Sequence, residues 1–296
     1  MSTSIDTAFV RQYEREVHHE YQRRGSLLLP TVRLKRGVQG KYTTFQKIGQ
    51  GTATTKARHG VITPMNQDHT AIECSFEDYY AGDWVDALDE AKTNHDERQA
   101  IAIGGAGALG RKTDELVTTK LDETTQTPVA WTVSTQAAVR NSLIEMVEAL
   151  FANDVPNDGR AYGLLTPRAW SMALTVEEFS DSDYVTPADL PFKSGPAIAP
   201  RWKDWNGVKW GMHTGLPGKG TGTAKVFCYH WQAVGFATAK HFKNIAGNPS
   251  VMADITWHGD RAAHFVNHMF SAGACLIDDT GVIAGSLDDT AAIPTG

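Results

Sequence analysis

The sequence predicts an α+β fold, and three features carry that prediction. Short strand-like segments fill residues 26–76, one long helix is predicted over residues 94–121, and short helices and strands alternate after residue 130. A chain of 296 residues is long enough for one large or two modest domains with ample core. No apolar run approaches the roughly 20 residues needed to cross a bilayer, so no membrane contact is expected.

The chain begins with a predicted arm. Residues 5–22 have helical periodicity, which indicates an amphipathic helix. Its apolar positions recur every four residues: Ile5, Phe9, Tyr13, Val17 and Tyr21.

A β-ribbon is predicted next. Strands are expected at Tyr42–Ile48 and Thr70–Phe76, and the polar, glycine-rich segment 49–60 between them indicates a mobile tip. Because an isolated hairpin is marginally stable in water, the ribbon must rest on something else, most simply on another copy of the protein. The spacing of Asp83–Ala91 then predicts a short acidic helix.

The long helix over residues 94–121 is predicted from its start signal and its apolar stripe. Asn94 is a good N-cap, and Glu97 three residues later completes a capping box. At 1.5 Å per residue the helix would be about 40 Å long. Each glycine in its middle weakens it by about 1 kcal/mol relative to alanine, so tertiary packing must hold them, by letting another backbone approach closely. The stripe consists of Ala102, Ala106, Leu109, Leu116 and Val117.

Residues Gly105–Gly110 also match the pattern G-x-G-x-x-G. This match raises an alternative, that the protein is an NAD(P)-binding oxidoreductase. That fingerprint requires a preceding strand, a following helix and an acidic residue about 20 positions later in a βαβ unit. Here the preceding segment has helical spacing, and residues 122–125 form a polar turn rather than leading into a second strand. The context therefore favours the long helix, and no cofactor is predicted.

Other catalytic and metal-binding patterns are incomplete. His264 and His268 have helical i, i+4 spacing but no glutamate between them, as H-E-x-x-H requires. The loop 215–221 lacks the Gly-Lys-Ser/Thr order of a phosphate loop. Three cysteines without C-x-x-C spacing indicate reduced thiols. The sequence thus predicts no catalytic, cofactor-binding or metal residues.

Residues 130–240 have the composition of a compact α/β domain. Ser134 is the expected cap of a helix that ends near residue 153, and Thr166-Pro167 opens another. A strand is expected at Ala161–Leu165, whereas residues 260–277 are ambiguous between helix and strand. Residues 214–223 form a glycine-rich surface loop.

Charge is strongly segregated although the net charge is only −6. Residues 21–60 contain no Asp or Glu, whereas the charged residues among residues 77–97 are all acidic except Lys92. Three interpretations stay open: a nucleic-acid-binding arm, contacts between subunits, or solvated charge. The adjacent acidic block favours subunit contacts, because a self-assembling protein needs complementary charges in one sequence. The predicted contact residues are Arg23, Arg24, Arg33, Lys35, Arg36, Lys47, Lys56, Arg58, Glu77, Asp78, Asp83, Asp86, Asp89 and Glu90.

The order of elements, from arm through ribbon and long helix to α/β domain, resembles the major capsid protein of tailed bacteriophages, a shell fold shared with encapsulins. Three local segments strengthen the resemblance: Ile62–Asn66, Asp78–Asp86 and Gly273–Val282. The resemblance implies an N-terminal arm (1–40), an extended hairpin loop (41–75), a peripheral domain (76–129 and 241–296) with spine helix 94–121, and an axial domain (130–240).

This resemblance further implies a structural protein rather than an enzyme. It would assemble as pentamers and hexamers into an icosahedral head shell enclosing double-stranded DNA without sequence-specific binding. Implied partners are a separate scaffolding protein, a portal and a decoration protein, with assembly in the host bacterial cytoplasm before residence in the virion. An encapsulin-like nanocompartment shell is the alternative. Some members crosslink a loop lysine to an asparagine; Lys47 or Lys56 with Asn267 are the matching residue types, but the spacing does not support the pairing.

Overall fold

The computed structural model describes residues 25–92, 97–180, 202–240 and 252–294. The predicted helix over residues 5–22, the capping residue Asn94, and Arg23 and Arg24 lie outside these ranges. Within them, no helix combines the length and apolarity that a bilayer crossing requires.

The α+β prediction is confirmed. The helices are α1 (Ala87–Lys92), α2 (Glu97–Asp122), α3 (Gln136–Phe151), α4 (Pro167–Ala173) and α5 (Glu177–Ser180). The strands are β1 (Arg33–Val38), β2 (Tyr42–Ile48), β3 (His69–Ser75), β4 (Glu77–Asp86), β5 (Val129–Ala130), β6 (Ala161–Leu165), β7 (Trp202–Trp205), β8 (Val208–Met212), β9 (Ala224–His230), β10 (Val234–Ala239), β11 (Met252–His258), β12 (Ala263–Leu276) and β13 (Val282–Leu287).

A five-stranded sheet is organised around the long strand β12. Strands β11 and β10 pair with successive halves of β12 on one side, β4 pairs with it on the other, and β1 adds to β10 in parallel. Helix α2 covers one face of this sheet, where Phe270 and Ala272 share a buried cluster with Leu109 and Val117.

A six-stranded sheet, in the order β5-β13-β9-β6-β8-β7, forms the second layer system. One face packs against α3 and α4 through a buried cluster that includes Leu143, Met146 and Trp210. The other face packs against the C-terminal half of α2, where Phe227 and Val282 meet Leu121. Because both faces are covered, strand β9 is buried along almost its whole length.

Two strands pair across the boundaries predicted from the sequence. Strand β10 falls within predicted segment 130–240 but belongs to the β12 sheet, and β13 falls within 241–296 but pairs with β9 and β5. Each follows its preceding strand through a short connection, at residues 231–233 and 277–281, that carries the chain from one sheet to the other. The two sheets therefore do not follow the boundary at residues 240 and 241 in these two strands, and the predicted division into domains stays a prediction.

The predicted helix over Asp83–Ala91 was wrong in its first half. Residues 77–86 form strand β4, which pairs with β12 over ten residues, and the helix begins only at Ala87. Val85 is buried in this sheet, and pairing with a long strand overrides local helical spacing. The same pairing makes the ambiguous segment 260–277 a strand. Further on, Thr135 rather than Ser134 caps α3, by accepting a hydrogen bond from Ala138 N.

Candidate assembly surface

Strands β2 and β3 form a two-stranded hairpin that belongs to neither large sheet. Their register runs from Tyr42↔Ser75 to Ile48↔His69, and a backbone bond from Gly49 N to Asp68 O (2.8 Å) closes the ladder. We call the paired residues the hairpin base and residues 49–68 the hairpin tip. The predicted strand at Tyr42–Ile48 is confirmed, and the predicted second strand differs from the observed one by a single residue at each end.

The hairpin base is fixed to the β12 sheet by Phe45. Its ring is 3% exposed and lies over Gly235, where a Cβ would stand 2.9 Å from it. Arg33 and Lys35 of β1 lie 5.6 and 5.7 Å from the ring centroid, at cation–π distance. The base thus has a packed anchor on its own subunit.

An ion pair adds to this anchor. Lys47 Nζ lies 2.7 Å from Asp278 Oδ1, beside a cleft of about 410 Å³ between β2 and the connection that follows β12. Burial opposes the charge of Asp278, but hydrogen bonds from Lys47 and Thr280 outweigh it and lower the pKa of this carboxyl. Lys47 therefore has an ion-pair partner in its own subunit, and its predicted role in a subunit contact stays a prediction.

The hairpin tip is built in the opposite way. Val61, Ile62 and Met65 are 92, 70 and 50% exposed, on a segment in which nearly every residue is exposed. Isolated apolar residues are ordinary on a protein surface, but three within five positions of an extended loop form a patch. The tip therefore presents an apolar surface with basic neighbours at Lys56 and Arg58.

The basic residues divide between base and tip. Arg33 Nη1 donates to Gln46 O (3.4 Å) and Lys35 Nζ donates to Thr44 O (3.1 Å), which covers the open edge of β2. On the tip, Lys56 Nζ donates to Gly60 O (3.4 Å), and Arg58, like Arg36 on β1, is exposed.

The acidic residues lie along β4 and α1. Glu77 accepts a hydrogen bond from Tyr79 Oη (2.7 Å), and Asp78 accepts one from Ser271 Oγ. Asp83 and Asp86 accept from the backbone N–H groups of Trp84 and Leu88, both at 2.8 Å. Asp89 is exposed on α1, which also includes Glu90.

Strand alternation gives β4 two different faces. Tyr79 and Ala81 belong to the cluster under α2, so Tyr80 and Trp84 lie on the opposite face of the sheet. They are 68 and 37% exposed, and Asp78 and Asp86 share their face by period-two alternation. Arg261 stacks on Trp84 at 4.5 Å. We call this set (Asp78, Tyr80, Trp84 and Asp86) the acidic aromatic face.

The glycine run lies in the interior of α2, which is continuous from Glu97 to Asp122. A Cβ on Gly110 would stand 2.6 Å from the backbone of Gly25, and one on Gly105 would stand 2.6 Å from the His268 ring. Gly110 therefore confirms the predicted close approach of another backbone. The run opens no helix, so the helix N-terminus that a dinucleotide phosphate needs is missing and the oxidoreductase alternative is not favoured.

Sequence reasoning missed the buried anchor of this helix, Asp114. Its carboxylate accepts hydrogen bonds from Ser26 Oγ (2.5 Å), Leu27 N (3.0 Å) and Leu28 N (3.1 Å), and lies 3.3 Å from His213 Nε2. Burial opposes its charge, but these hydrogen bonds outweigh it and lower the pKa of Asp114. No local sequence signal marks Asp114, because its hydrogen-bond partners are 86 to 99 residues away in sequence.

Asp279 plays the corresponding part where α2 ends. It accepts hydrogen bonds from Thr124 Oγ1 (2.7 Å), Thr125 N (3.0 Å) and Gln126 Nε2 (3.1 Å). Both aspartates hold chain segments in place through these hydrogen bonds.

Metal ligation finds no support in the described parts of the chain, which contain no group of three or more His, Cys, Asp or Glu side chains able to hold an ion. His264 and His268 lie on strand β12, where His264 contacts the Trp257 ring at 4.9 Å and His268 packs against Gly105.

The arrangement is that of phage capsid subunits. The chain is similar in structure to the capsid of Cyanophage P-SCSP1u (TM-score 0.72, 13% identity, covering 97% of this chain and 95% of that chain). It is also similar to the capsid of Ralstonia phage GP4 (0.70, 13%, 100% of both chains) and to Mycobacterium phage Che8 (0.67, 13%, 94 and 97%). These likenesses establish the fold; no curated protein matches the chain.

Residues 5–289 match the family of phage capsid proteins, and the chain belongs to that family. It is a structural major capsid protein: a virion component whose shell is assembled from many copies of one subunit. The resemblance inferred from the sequence is thereby confirmed.

Proposed function

We propose that subunits join by laying the hairpin tip of one copy on the acidic aromatic face of the next. The observation that carries this proposal is the exposure of Val61, Ile62 and Met65, an apolar patch that its own subunit leaves uncovered. The chemistry of the two surfaces is complementary. The tip offers Lys56 and Arg58 beside apolar side chains, and the face offers Asp78 and Asp86 beside Tyr80 and Trp84.

The proposed division of the subunit follows the two sheets. The β12 sheet with α2 forms the peripheral part, and the six-stranded sheet with α3 and α4 forms the axial part around five-fold and six-fold positions. The loop at residues 214–223 would lie nearest those axes. Asp289 supports an ordered loop, since its carboxylate accepts a hydrogen bond from Gly220 N (2.7 Å) and one from Thr166 Oγ1 (2.5 Å).

The subunits would form pentamers and hexamers, and the assembled shell would enclose double-stranded DNA. Assembly would take place in the bacterial cytoplasm with a separate scaffolding protein, a portal and a decoration protein. A net charge of −6 is compatible with a shell that encloses DNA without binding it strongly, because strong binding to phosphates needs clustered cations. The subunit has no catalytic role in this proposal.

Electron micrographs of the protein, expressed alone or with the scaffolding protein, test the contact. The double variant Val61→Asp, Ile62→Asp should fold normally but yield no closed particles, because two carboxylates would be buried against an acidic face. Ile144→Asp is the matched control, since Ile144 is an exposed isoleucine (39%) on helix α3. Closed particles from the double variant at wild-type yield would overturn the proposed contact.

A further inference from the structure

Two cysteines meet where the hairpin base rests on the β12 sheet. Cys74 of β3 and Cys275 of β12 are 1 and 6% exposed and belong to one small cluster with Phe45, Ala237 and Ile277. In each case the neighbouring thiol is the largest influence on the pKa of the cysteine. The backbones meet as well, because a Cβ on Gly273 would stand 3.2 Å from Cys74 Sγ and would collide with the Ser75 carbonyl.

We propose that Cys74 and Cys275 are a redox site that closes to a disulfide within one subunit and locks the hairpin base onto the sheet. The bond would join strands 201 positions apart in sequence (275 − 74). The chemistry concerns the folded chain alone, whereas its consequence for a shell rests on the proposed function.

The two thiols are unequal, which sets the order of steps. The hydrogen bond donated by Cys275 lowers the pKa of Cys74 despite burial, and the positive charge of Lys120 acts in the same direction. The same hydrogen bond, together with burial, raises the pKa of Cys275. Cys74 is therefore the thiolate that attacks and Cys275 the thiol that resolves.

With a peroxide as oxidant the reaction balances. The Cys74 thiolate attacks one peroxide oxygen, the O–O bond breaks, and hydroxide leaves while Cys74 becomes a sulfenic acid. The Cys275 sulfur then attacks Cys74, the S–O bond breaks, and the hydroxyl leaves as water with the Cys275 proton. Two sulfurs are oxidised and one peroxide is reduced. A reducing cytosol would keep the dithiol during assembly, and release from the cell would expose it to oxidant.

The third cysteine is an internal control. Cys228 lies on β9 in the other sheet, is fully buried, and has its pKa raised by burial alone. It has neither the thiolate character nor the partner that disulfide formation needs.

Thiol counting with peptide mapping tests the site. Unassembled subunits and particles are treated with hydrogen peroxide or with dithiothreitol, denatured, alkylated and digested. Peroxide should lower the alkylated cysteines from three to one, with Cys228 still alkylated and a linked Cys74–Cys275 peptide that dithiothreitol removes. The thermal midpoint should rise by several degrees on oxidation and return on reduction.

The variants Cys74→Ser and Cys275→Ser should each show no linked peptide and no peroxide-dependent shift in thermal midpoint. If either fails to fold, the wild-type peptide map alone decides. Alkylation of both cysteines after peroxide, sulfinic acid on Cys74 beside a free Cys275, or disulfide-linked dimers would each overturn the proposal. Because unassembled subunits are assayed too, these outcomes are independent of whether the tip contact builds the shell.

Discussion

The base and the tip of the hairpin are one continuous stretch of chain held in opposite ways. At the base, the Phe45 ring fills the space that Gly235 leaves, and cations from β1 cover the β2 edge. At the tip, Val61 is 92% exposed. The hairpin base packs against its own subunit, and the hairpin tip exposes apolar side chains that a folded protein normally buries. The proposed contact between subunits needs both, because a loop that reaches a neighbour must leave its own subunit from a fixed point.

Removing the anchor ring should have the largest effect on the subunit itself. Phe45→Ala removes a fully packed aromatic side chain, and such truncations cost about 3–5 kcal/mol. Chemical unfolding of unassembled subunits measures it. Tyr42→Ala is the matched control on the same strand, because Tyr42 is 57% exposed and its loss should change stability by no more than about 0.5 kcal/mol. An equal loss in the free energy of unfolding for the two variants would mean that the buried Phe45 ring does not anchor the hairpin base.

The change at Asp114, the carboxylate on helix α2 that holds residues 26–28, should have the second-largest effect. Asp114→Asn keeps the shape but loses the charge that four donors solvate, which should cost about 1–3 kcal/mol in the free energy of unfolding. Asp68→Asn, an exposed position on the tip, should leave stability nearly unchanged.

The effect of Asp114 also has a definite pH dependence. Because its pKa in the folded subunit lies below the ordinary value of 3.8, its contribution is complete above that value and is lost as pH falls toward the folded pKa. The stability of the wild type should therefore decline more steeply below about pH 4 than that of Asp114→Asn. If the stability of the wild type and of Asp114→Asn fell in parallel with pH, Asp114 would not be a source of the acid sensitivity.

Helix α2 repeats the contrast on a smaller scale. A Cβ on Gly104 meets nothing within 4 Å, whereas one on Gly110 meets the Gly25 backbone at 2.6 Å. Gly104→Ala should stabilise by about 1 kcal/mol through helix propensity, and Gly110→Ala should destabilise because a backbone must move. Thermal unfolding of the two variants gives the comparison. Stabilisation by both would mean that the backbone at Gly25 does not pack tightly against the helix.

What the sequence could predict follows the same division between local and distant causes. The hairpin strands and α2 were predicted nearly in register because turn residues and helical periodicity mark them within a few positions. Strand β4 was predicted wrongly, since its partner β12 is about 180 residues further along. The Asp114 anchor, the Phe45 socket at Gly235 and the meeting of Cys74 with Cys275 were not predicted at all. Each needs the folded chain to bring its parts together.

The charges show this most clearly. The segregation of basic and acidic residues was visible, but the partner of each was not: Lys47 binds Asp278 of its own subunit, while Lys56 and Arg58 extend with the tip. Net charge patterns indicate an interaction surface without identifying which members form it.

The smallest expected effect belongs to that same Lys47–Asp278 pair, and it decides what kind of anchor the base is. Both side chains are about one-third exposed (37 and 33%), so their coupling should be only about 0.2–1 kcal/mol and should weaken as salt rises. A double-mutant cycle with Lys47→Met and Asp278→Asn measures it in the free energy of unfolding. A coupling as large as the cost of Phe45→Ala would mean that charge rather than packing fixes the hairpin. A small coupling energy would mean that packing of the Phe45 ring fixes the position of the hairpin and that the ion pair contributes little to it.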